Sequence, residues 1–105
     1  HISDTSARVG DAQHAAYVAS KAALESLSQS FAARFAPHIK VNTIAPGLIL
    51  FNEGDDEEYR QSRLQESLLG FEPGPQVVWQ AIECLLHNPY ITGAVLPVDG
   101  GRHLV

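Results

Sequence analysis

The feature that most constrains the fold is the alternation of long helical stretches with short β-branched segments. Residues 12–35 are rich in Ala and Leu and contain no Gly or Pro, so they predict one helix. Residues 39–45 (IKVNTIA) predict a strand that is broken at Pro46-Gly47. Residues 75–88 predict a further helix, and the segment AVLPV predicts a second strand. Two strands cannot form a stable open sheet unaided, so we expect the chain to need further sheet partners.

Apolar residues recur every three or four positions in both long helices, which predicts the face that each helix buries. Asp11 is placed to cap the first helix. The single cysteine, Cys84, lies in the apolar part of the last helix, so we expect a buried and inert thiol. The predicted inward stripes are Leu24, Leu27, Phe31 and Phe35 in the first helix, and Val78, Ile82, Leu85 and Leu86 in the last.

The composition excludes several classes of protein. At 105 residues the chain is long enough for one small domain, and its hydrophobic content of 45% is that of an ordinary globular protein. The formal charge of −5 and the absence of a basic stripe argue against nucleic acid as a partner. No apolar run approaches the ~20 residues that cross a bilayer, so no membrane partner is expected. A single cysteine and no signal-peptide pattern predict a cytoplasmic location.

No pattern in the sequence predicts a metal site. The acidic run at residues 53–58 precedes Arg60 and Arg63, and we interpret it as the solvated first turns of a short helix. Its carboxylates lack the spacing of a calcium loop. The five histidines are scattered, and none forms the pair one helical turn apart that a zinc-binding helix carries.

The pair Tyr17 and Lys21 is the strongest candidate for chemistry. Four residues of helical spacing put the two side chains one turn apart on the same face. A tyrosine normally ionises only near pH ~10, and a neighbouring ammonium favours the ionised form. We therefore expect Lys21 to lower the pKa of Tyr17 and to make it a proton donor or acceptor. Alone, however, such a pair is usually a solvated surface pair.

Three further landmarks turn this pair into a family resemblance. Asp4 lies thirteen residues before Tyr17, Pro46-Gly47 follows the predicted strand, and the segment ITGAVLPVDGG lies near the C-terminus. This order resembles the C-terminal half of the short-chain dehydrogenase/reductase family. The resemblance implies an α/β fold, the C-terminal half of a Rossmann-type doubly wound parallel sheet. Residues 1–105 would then be part of one such domain. Because no G-x-G-x-x-G turn is present, the cofactor-phosphate half is expected in an N-terminal part of the same protein.

The resemblance also implies roles for residues and a cofactor. Tyr17, Lys21 and Asp4 would be catalytic, and Lys21 would hold the nicotinamide ribose. The cofactor would be NADPH, and the assembly a homotetramer. The expected cofactor contacts are Ser3, Tyr17, Lys21, Pro46, Gly47, Leu48 and Ile49, and the expected substrate contacts are Asp4, Tyr17, Leu48 and Phe51.

The position of Asp4 decides which branch of the family the chain resembles. Most members carry a serine thirteen residues before the tyrosine, whereas here Ser3 lies one place earlier. Either Ser3 does the usual work, or a carboxylate faces the substrate as in the pteridine reductases. Pro46-Gly47-Leu48 and the ending DGGRH also resemble that branch, and most closely the bacterial dihydromonapterin reductases. A carboxylate suits a pterin, which offers N–H donors. It suits a ketone poorly, because it would repel the oxyanion.

The resemblance thus implies reduction of a 7,8-dihydropterin, dihydromonapterin or possibly dihydrofolate, to the tetrahydropterin. Three alternatives stay open. A carbonyl reductase of the same family, such as a 3-oxoacyl-carrier-protein reductase, would use Ser3. A cofactor-binding scaffold would keep the fold without catalysis. A free-standing helical interaction domain would require the chain to fold cooperatively alone.

Overall fold

The computed structural model describes residues 1–8 and 10–105. Its elements alternate helices with two short strands, and a 3₁₀ turn stands at each end. In chain order they are a 3₁₀ turn at Thr5–Arg8, α1 at Ala15–Phe35, β1 at Thr43–Pro46, α2 at Glu57–Leu64, α3 at Gln76–His87, β2 at Val95–Val98 and a 3₁₀ turn at Arg102–Leu104.

The two strands are parallel, and a third segment extends the sheet. Thr43 pairs with Val95, and Pro46 pairs with Val98 at the other end of the ladder. On the opposite edge of β1, Ile2 forms a parallel bridge to Ile44. The chain therefore leaves the same edge of the sheet at three points: after Ile2, after β1 and after β2. In open α/β sheets this carboxyl edge is where ligands bind.

The first strand is shifted from its predicted position. Residues 39–42 precede β1, and Pro46 ends it instead of breaking it. Main-chain and side-chain hydrogen bonds together hold the preceding segment, and Gly93 N donates to Val41 O at 2.8 Å. The Lys40 ammonium donates to the main-chain oxygens of Leu85 and Asn88, at 2.7 and 2.6 Å. The strand itself is limited to the four residues Thr43–Pro46.

The buried face of α1 differs from the predicted leucine stripe. Val18, Glu25, Ser28 and Ala32 are its buried residues, whereas Leu27 is 48% exposed and Phe35 is also exposed. At Ala32 the helix contacts the turn before β2, because a Cβ atom at Gly93 would meet Ala32 Cβ at 3.6 Å, an ordinary contact distance. The larger side chains lie toward the outside of this contact. Of the predicted stripe, Leu24 and Phe31 are partly buried.

Three further predictions, two for the last helix and one for the start of α1, are wrong. In α3 the buried residue is Ala81, while Leu86 is 65% exposed and the Cys84 thiol is exposed rather than buried. Asp11 does not cap α1, because its carboxylate accepts from Gln13 N at 2.8 Å within the preceding turn. Val78, Ile82 and Leu85 are partly buried, as predicted.

A short helix follows the acidic run, but it begins at Glu57, so residues 53–55 precede its cap instead of forming its first turns as predicted. Asp56 caps α2 by accepting from Tyr59 N at 2.7 Å, and Glu57 and Glu58 stand in its first turn. Carboxylates there stabilise the positive end of the helix. Across the described residues, no helix combines the length and the apolar character needed to span a bilayer.

The buried hydroxyl of Thr43 gives a first test. The residue is fully buried, and its Oγ1 has no hydrogen-bond partner in the part of the chain that the structure describes. Because a buried polar atom without a partner costs about 1–3 kcal/mol, Thr43→Val should raise the free energy of unfolding by about 1 kcal/mol. Urea denaturation of the natural full-length protein measures this change.

Thr92→Val is the matched control. The Thr92 hydroxyl accepts from Val41 N at 3.1 Å, so the same substitution there should lower the free energy of unfolding by about 0.5–1.5 kcal/mol. Equal losses of stability in the two variants would contradict the account of Thr43.

Candidate active site

A hydrogen bond between Tyr17 and Asp4 is the centre of the candidate site. Tyr17, in the first turn of α1, donates its hydroxyl to Asp4 Oδ2 at 3.0 Å. The other oxygen, Oδ1, accepts from the main-chain N and from the hydroxyl of Ser6, at 2.8 and 2.6 Å. The local turn therefore orients the carboxylate, and one of its oxygens faces the phenol.

The pKa of Tyr17 moves in the opposite direction to the prediction. Burial, then the hydrogen bond to Asp4, then the negative charge of Asp4 raise the pKa of Tyr17 above the usual tyrosine value. The Lys21 ammonium lies 5.7 Å from the centroid of the Tyr17 ring and donates to the main-chain oxygen of Ile2 at 3.3 Å. It therefore meets the face of the ring, and the nearest charge to the hydroxyl is the carboxylate. Tyr17 is held as a protonated donor.

Ser3 lies on the other side of the chain from this pair. It is buried, and its hydroxyl donates to Glu25 Oε1 at 2.7 Å in the contact with α1. Successive side chains of an extended segment point to opposite sides, so Ser3 faces the helix and Asp4 faces the cleft. Of the two alternatives left open by the sequence, the structure brings Asp4 to Tyr17 and directs the Ser3 hydroxyl away from it.

A cleft of about 460 Å³ opens beside the pair. Of the predicted site residues, Asp4, Tyr17, Gly47 and Leu48 line it, whereas Lys21, Pro46, Ile49 and Phe51 do not. Phe51 instead packs edge-on against Tyr59, with ring centroids 6.4 Å apart. The residues that the sequence analysis did not select are Thr5, Ser6, Gly10, Asp11, His14, Arg63, Glu66, Ser67, Asp99 and Arg102.

Gly47 is where the turn after β1 meets the turn after β2. Its main-chain N donates to Val98 O at 3.0 Å. A Cβ atom there would lie 2.8 Å from Asp99 Cβ and 3.0 Å from Asp99 Cα, closer than real Cβ contacts. Only glycine allows this approach of main chain to main chain, which accounts for a Pro-Gly turn at the edge of the cleft.

Asp99 is the buried acid of the site. Burial acts to raise the pKa of its carboxyl, but hydrogen bonds from Thr5, His103 and Gly101 outweigh that effect and lower the pKa below the usual aspartate value. The Asp99-Gly100-Gly101 sequence was a signal for a turn, but nothing in the sequence showed that the carboxylate turns inward.

Charged side chains form the far wall of the cleft. Glu66 accepts from the Arg63 guanidinium, and Arg102 Nε lies 3.6 Å from the same Glu66 oxygen. These residues come from the end of α2 and from the C-terminal turn, so their meeting could not be read from their spacing along the chain.

The residues around the cleft fit the nicotinamide cofactor that the resemblance implies. An ammonium has three N–H donors, and Lys21 uses one on Ile2 O among the described contacts, so donors remain for ribose hydroxyls. Gly47 brings main chain to the cleft without a side chain, and Leu48 adds an apolar wall suited to a flat ring.

Comparisons with known protein sequences point to reductases. A family model described as enoyl-(acyl carrier protein) reductase matches residues 1–103. The chain is 51% identical over 104 residues to a dihydromonapterin reductase of Escherichia coli, and 50% identical to one of Shigella flexneri. Each alignment covers 99% of this chain and 43% of the relative. The chain thus spans less than half the length of these curated relatives.

Solved structures share the fold over the whole chain. A 4-hydroxyisoleucine dehydrogenase mutant complexed with NADH and succinate matches with a TM-score of 0.90 at 30% identity, over 100% of this chain and 46% of that one. The ligand-free aldohexose dehydrogenase of Thermoplasma acidophilum matches with a TM-score of 0.88 at 28% identity, over 99% of this chain and 47% of that one. Together with the parallel sheet, these neighbours confirm the predicted Rossmann-type α/β fold.

The geometry predicts how Tyr17 ionises when Asp4 loses its charge. Asp4→Asn should lower the pKa of Tyr17, because the charge that opposes ionisation is gone, but burial should keep it from falling to the ordinary value. The tyrosinate absorbance of each protein, minus that of its Tyr17→Phe counterpart, measures this pKa.

The raised pKa of Tyr17 also makes the stability of the folded protein depend on pH. With Asp4 intact, the folded state holds the Tyr17 proton more tightly than the unfolded chain does, so stability is lost as pH rises above ~10. Asp4→Asn should reduce that loss. A pKa of Tyr17 that rises or stays constant in Asp4→Asn would contradict the assigned cause.

Proposed function

Because this chain belongs to the short-chain dehydrogenase/reductase family, we propose that it carries the catalytic residues of an NADPH-dependent reductase of dihydropterins. The substrate is a 7,8-dihydropterin of the dihydromonapterin kind, with dihydrofolate as a second candidate, and the product is the tetrahydropterin. The observation that carries this proposal is the hydrogen bond from Tyr17 to Asp4, with the Ser3 hydroxyl turned toward Glu25. The dihydromonapterin reductases at about half identity support it.

The carboxylate at this position favours a nitrogen heterocycle over a ketone. A pterin ring presents N–H groups and an amine, which donate charge-assisted hydrogen bonds to a carboxylate. Reduction of a ketone builds negative charge on oxygen, and Asp4 would repel it at close range. The serine that most family members carry at this position has no such preference. Asp4 beside Tyr17 therefore selects the substrate class.

Each residue of the site has a separate part in this reaction. Asp4 orients the pterin, and Tyr17, kept protonated by its surroundings, supplies a proton toward the ring nitrogen of the carbon–nitrogen double bond. Lys21 holds the ribose, and Gly47 and Leu48 form the wall beside the nicotinamide. Pro46 and Ile49 support that wall from the turn. A bound reduced nicotinamide would supply the hydride.

The same proposal extends to the setting of the enzyme. The remaining half of the fold, with the site for the cofactor phosphates, belongs to an N-terminal part of the same protein. The assembly is a homotetramer in the cytoplasm. The length of the curated relatives supports the first point, because 104 matched residues make up 43% of the relative.

A carbonyl reductase is the second candidate function. The matching family model is described as an enoyl-(acyl carrier protein) reductase, which supports an acyl substrate held on a carrier but names reduction of a carbon–carbon double bond and not of a carbonyl. The geometry of Ser3 speaks against it, since a carbonyl substrate would need that hydroxyl beside Tyr17.

Removal of the Tyr17 hydroxyl tests the proton donor. Tyr17→Phe keeps the shape of the ring and should lower kcat for dihydropterin reduction by about 10²–10⁴-fold. Tyr59→Phe is the matched control, because both side chains are 48% exposed and Tyr59 does not line the cleft. Near-normal turnover in Tyr17→Phe would rule out the role as general acid.

Exchange of Asp4 for serine tests the substrate class. Asp4→Ser should reduce kcat/KM for a dihydropterin by about 10-fold or more, because each charge-assisted hydrogen bond contributes about 1.5–3 kcal/mol. The value for acetoacetyl thioester should stay constant or rise. Parallel steady-state assays measure kcat/KM for both substrates. An equal loss of kcat/KM for both would contradict the assignment of a pterin substrate.

A further inference from the structure

We propose that Asp99 is a positioning residue of this site, which acts through Thr5 to fix the turn that presents Asp4 to the substrate. The role rests on the proposed function, because the placement of Asp4 matters to catalysis only if Asp4 contacts the substrate. Asp99 touches neither Tyr17 nor Asp4 in any described contact, so it acts on the reaction only through its neighbours.

The link is one hydrogen bond between distant parts of the chain. The Thr5 hydroxyl donates to Asp99 Oδ2 at 2.7 Å, across a separation of 94 residues. Thr5 directly follows Asp4 and begins the 3₁₀ turn at Thr5–Arg8. The bonds from Ser6 orient the Asp4 carboxylate within that turn. The bond to Asp99 places the turn itself against the end of β2.

Asp99 is rigid enough to serve as this anchor. Its side chain is 3% exposed, and it accepts from Gly101 N and from His103 N, each at 3.0 Å. His103 Nδ1 lies 2.8 Å from the same carboxylate. The Cα and Cβ atoms of Asp99 lie against Gly47, where no side chain would fit. One buried residue therefore fixes two walls of the cleft, the turn after Asp4 and the turn after β1.

The contacts of Asp99 indicate a positioning role, whereas those of Asp4 fit direct contact with the substrate. Both oxygens of Asp99 already accept hydrogen bonds from the protein, Oδ2 from Thr5 and His103 and Oδ1 from Gly101. Asp4 also accepts at both oxygens, Oδ1 from Ser6 and Oδ2 from Tyr17, but the Tyr17 hydroxyl belongs to a half-exposed residue of the cleft, whereas the Asp99 side chain is 3% exposed and its donors are structural.

Two substitutions at Thr5 test the link in the natural full-length protein. Thr5→Val removes the hydroxyl at nearly constant shape, and Thr5→Ser keeps it. Thr5→Val should lower kcat/KM for the dihydropterin by about 10–100-fold, the scale of a misplacement near 1 Å, with an unchanged Kd for NADPH. Thr5→Ser should restore kcat/KM to within about threefold. Thr92→Val, which loses a comparable hydrogen bond away from the cleft, should leave kcat/KM unchanged.

The ionisation of Tyr17 gives a readout that needs no substrate. If the turn shifts, Asp4 leaves the Tyr17 hydroxyl, so the pKa of Tyr17 should fall in Thr5→Val and stay at the wild-type value in Thr5→Ser. A pKa of Tyr17 that is unchanged in Thr5→Val overturns the positioning role. If the wild-type protein reduces no dihydropterin while Thr5→Val still lowers this pKa, the proposed function fails and the positioning of Asp4 by Thr5 and Asp99 stands.

Discussion

The parallel direction of the strands determines where the candidate site forms. Because Ile2, β1 and β2 run the same way, the chain emerges three times at one edge of the sheet. That edge brings Asp4, Gly47 and Asp99 together although they are far apart in sequence. An antiparallel pairing of the same segments would place their following residues at opposite ends, and no cleft would form between them.

The alternating directions of the Ser3 and Asp4 side chains then determine which of them meets Tyr17. Ser3 faces α1 and bonds to Glu25, while Asp4, one residue later, faces the cleft and bonds to Tyr17. Burial of the phenol, with the Asp4 carboxylate beside its hydroxyl, raises the pKa of Tyr17, which is the reverse of the effect expected from Lys21. In the proposed reaction this suits a site that holds an N–H substrate and delivers a proton.

The sequence predicted the helices from spacing along the chain and the family from its motifs, but it left open whether Ser3 or Asp4 faces Tyr17. The features that depend on tertiary packing were predicted wrongly or not at all. Leu27 is exposed, whereas Glu25, Ser28 and Ala32 form the buried face of the same helix. The predicted direction of the Tyr17 pKa was wrong because burial and the nearby Asp4 carboxylate, which helical spacing does not show, raise that pKa. The bond between Thr5 and Asp99 joins distant residues and left no local signal.

A crystal structure of the full-length protein with a nicotinamide cofactor and a dihydropterin would show which side chain faces the substrate. We expect an Asp4 oxygen within hydrogen-bond distance of both the Tyr17 hydroxyl and a nitrogen of the pterin ring, with the Ser3 hydroxyl still on Glu25. A Ser3 hydroxyl beside Tyr17, with the Asp4 carboxylate turned away from the bound substrate, would contradict this expectation.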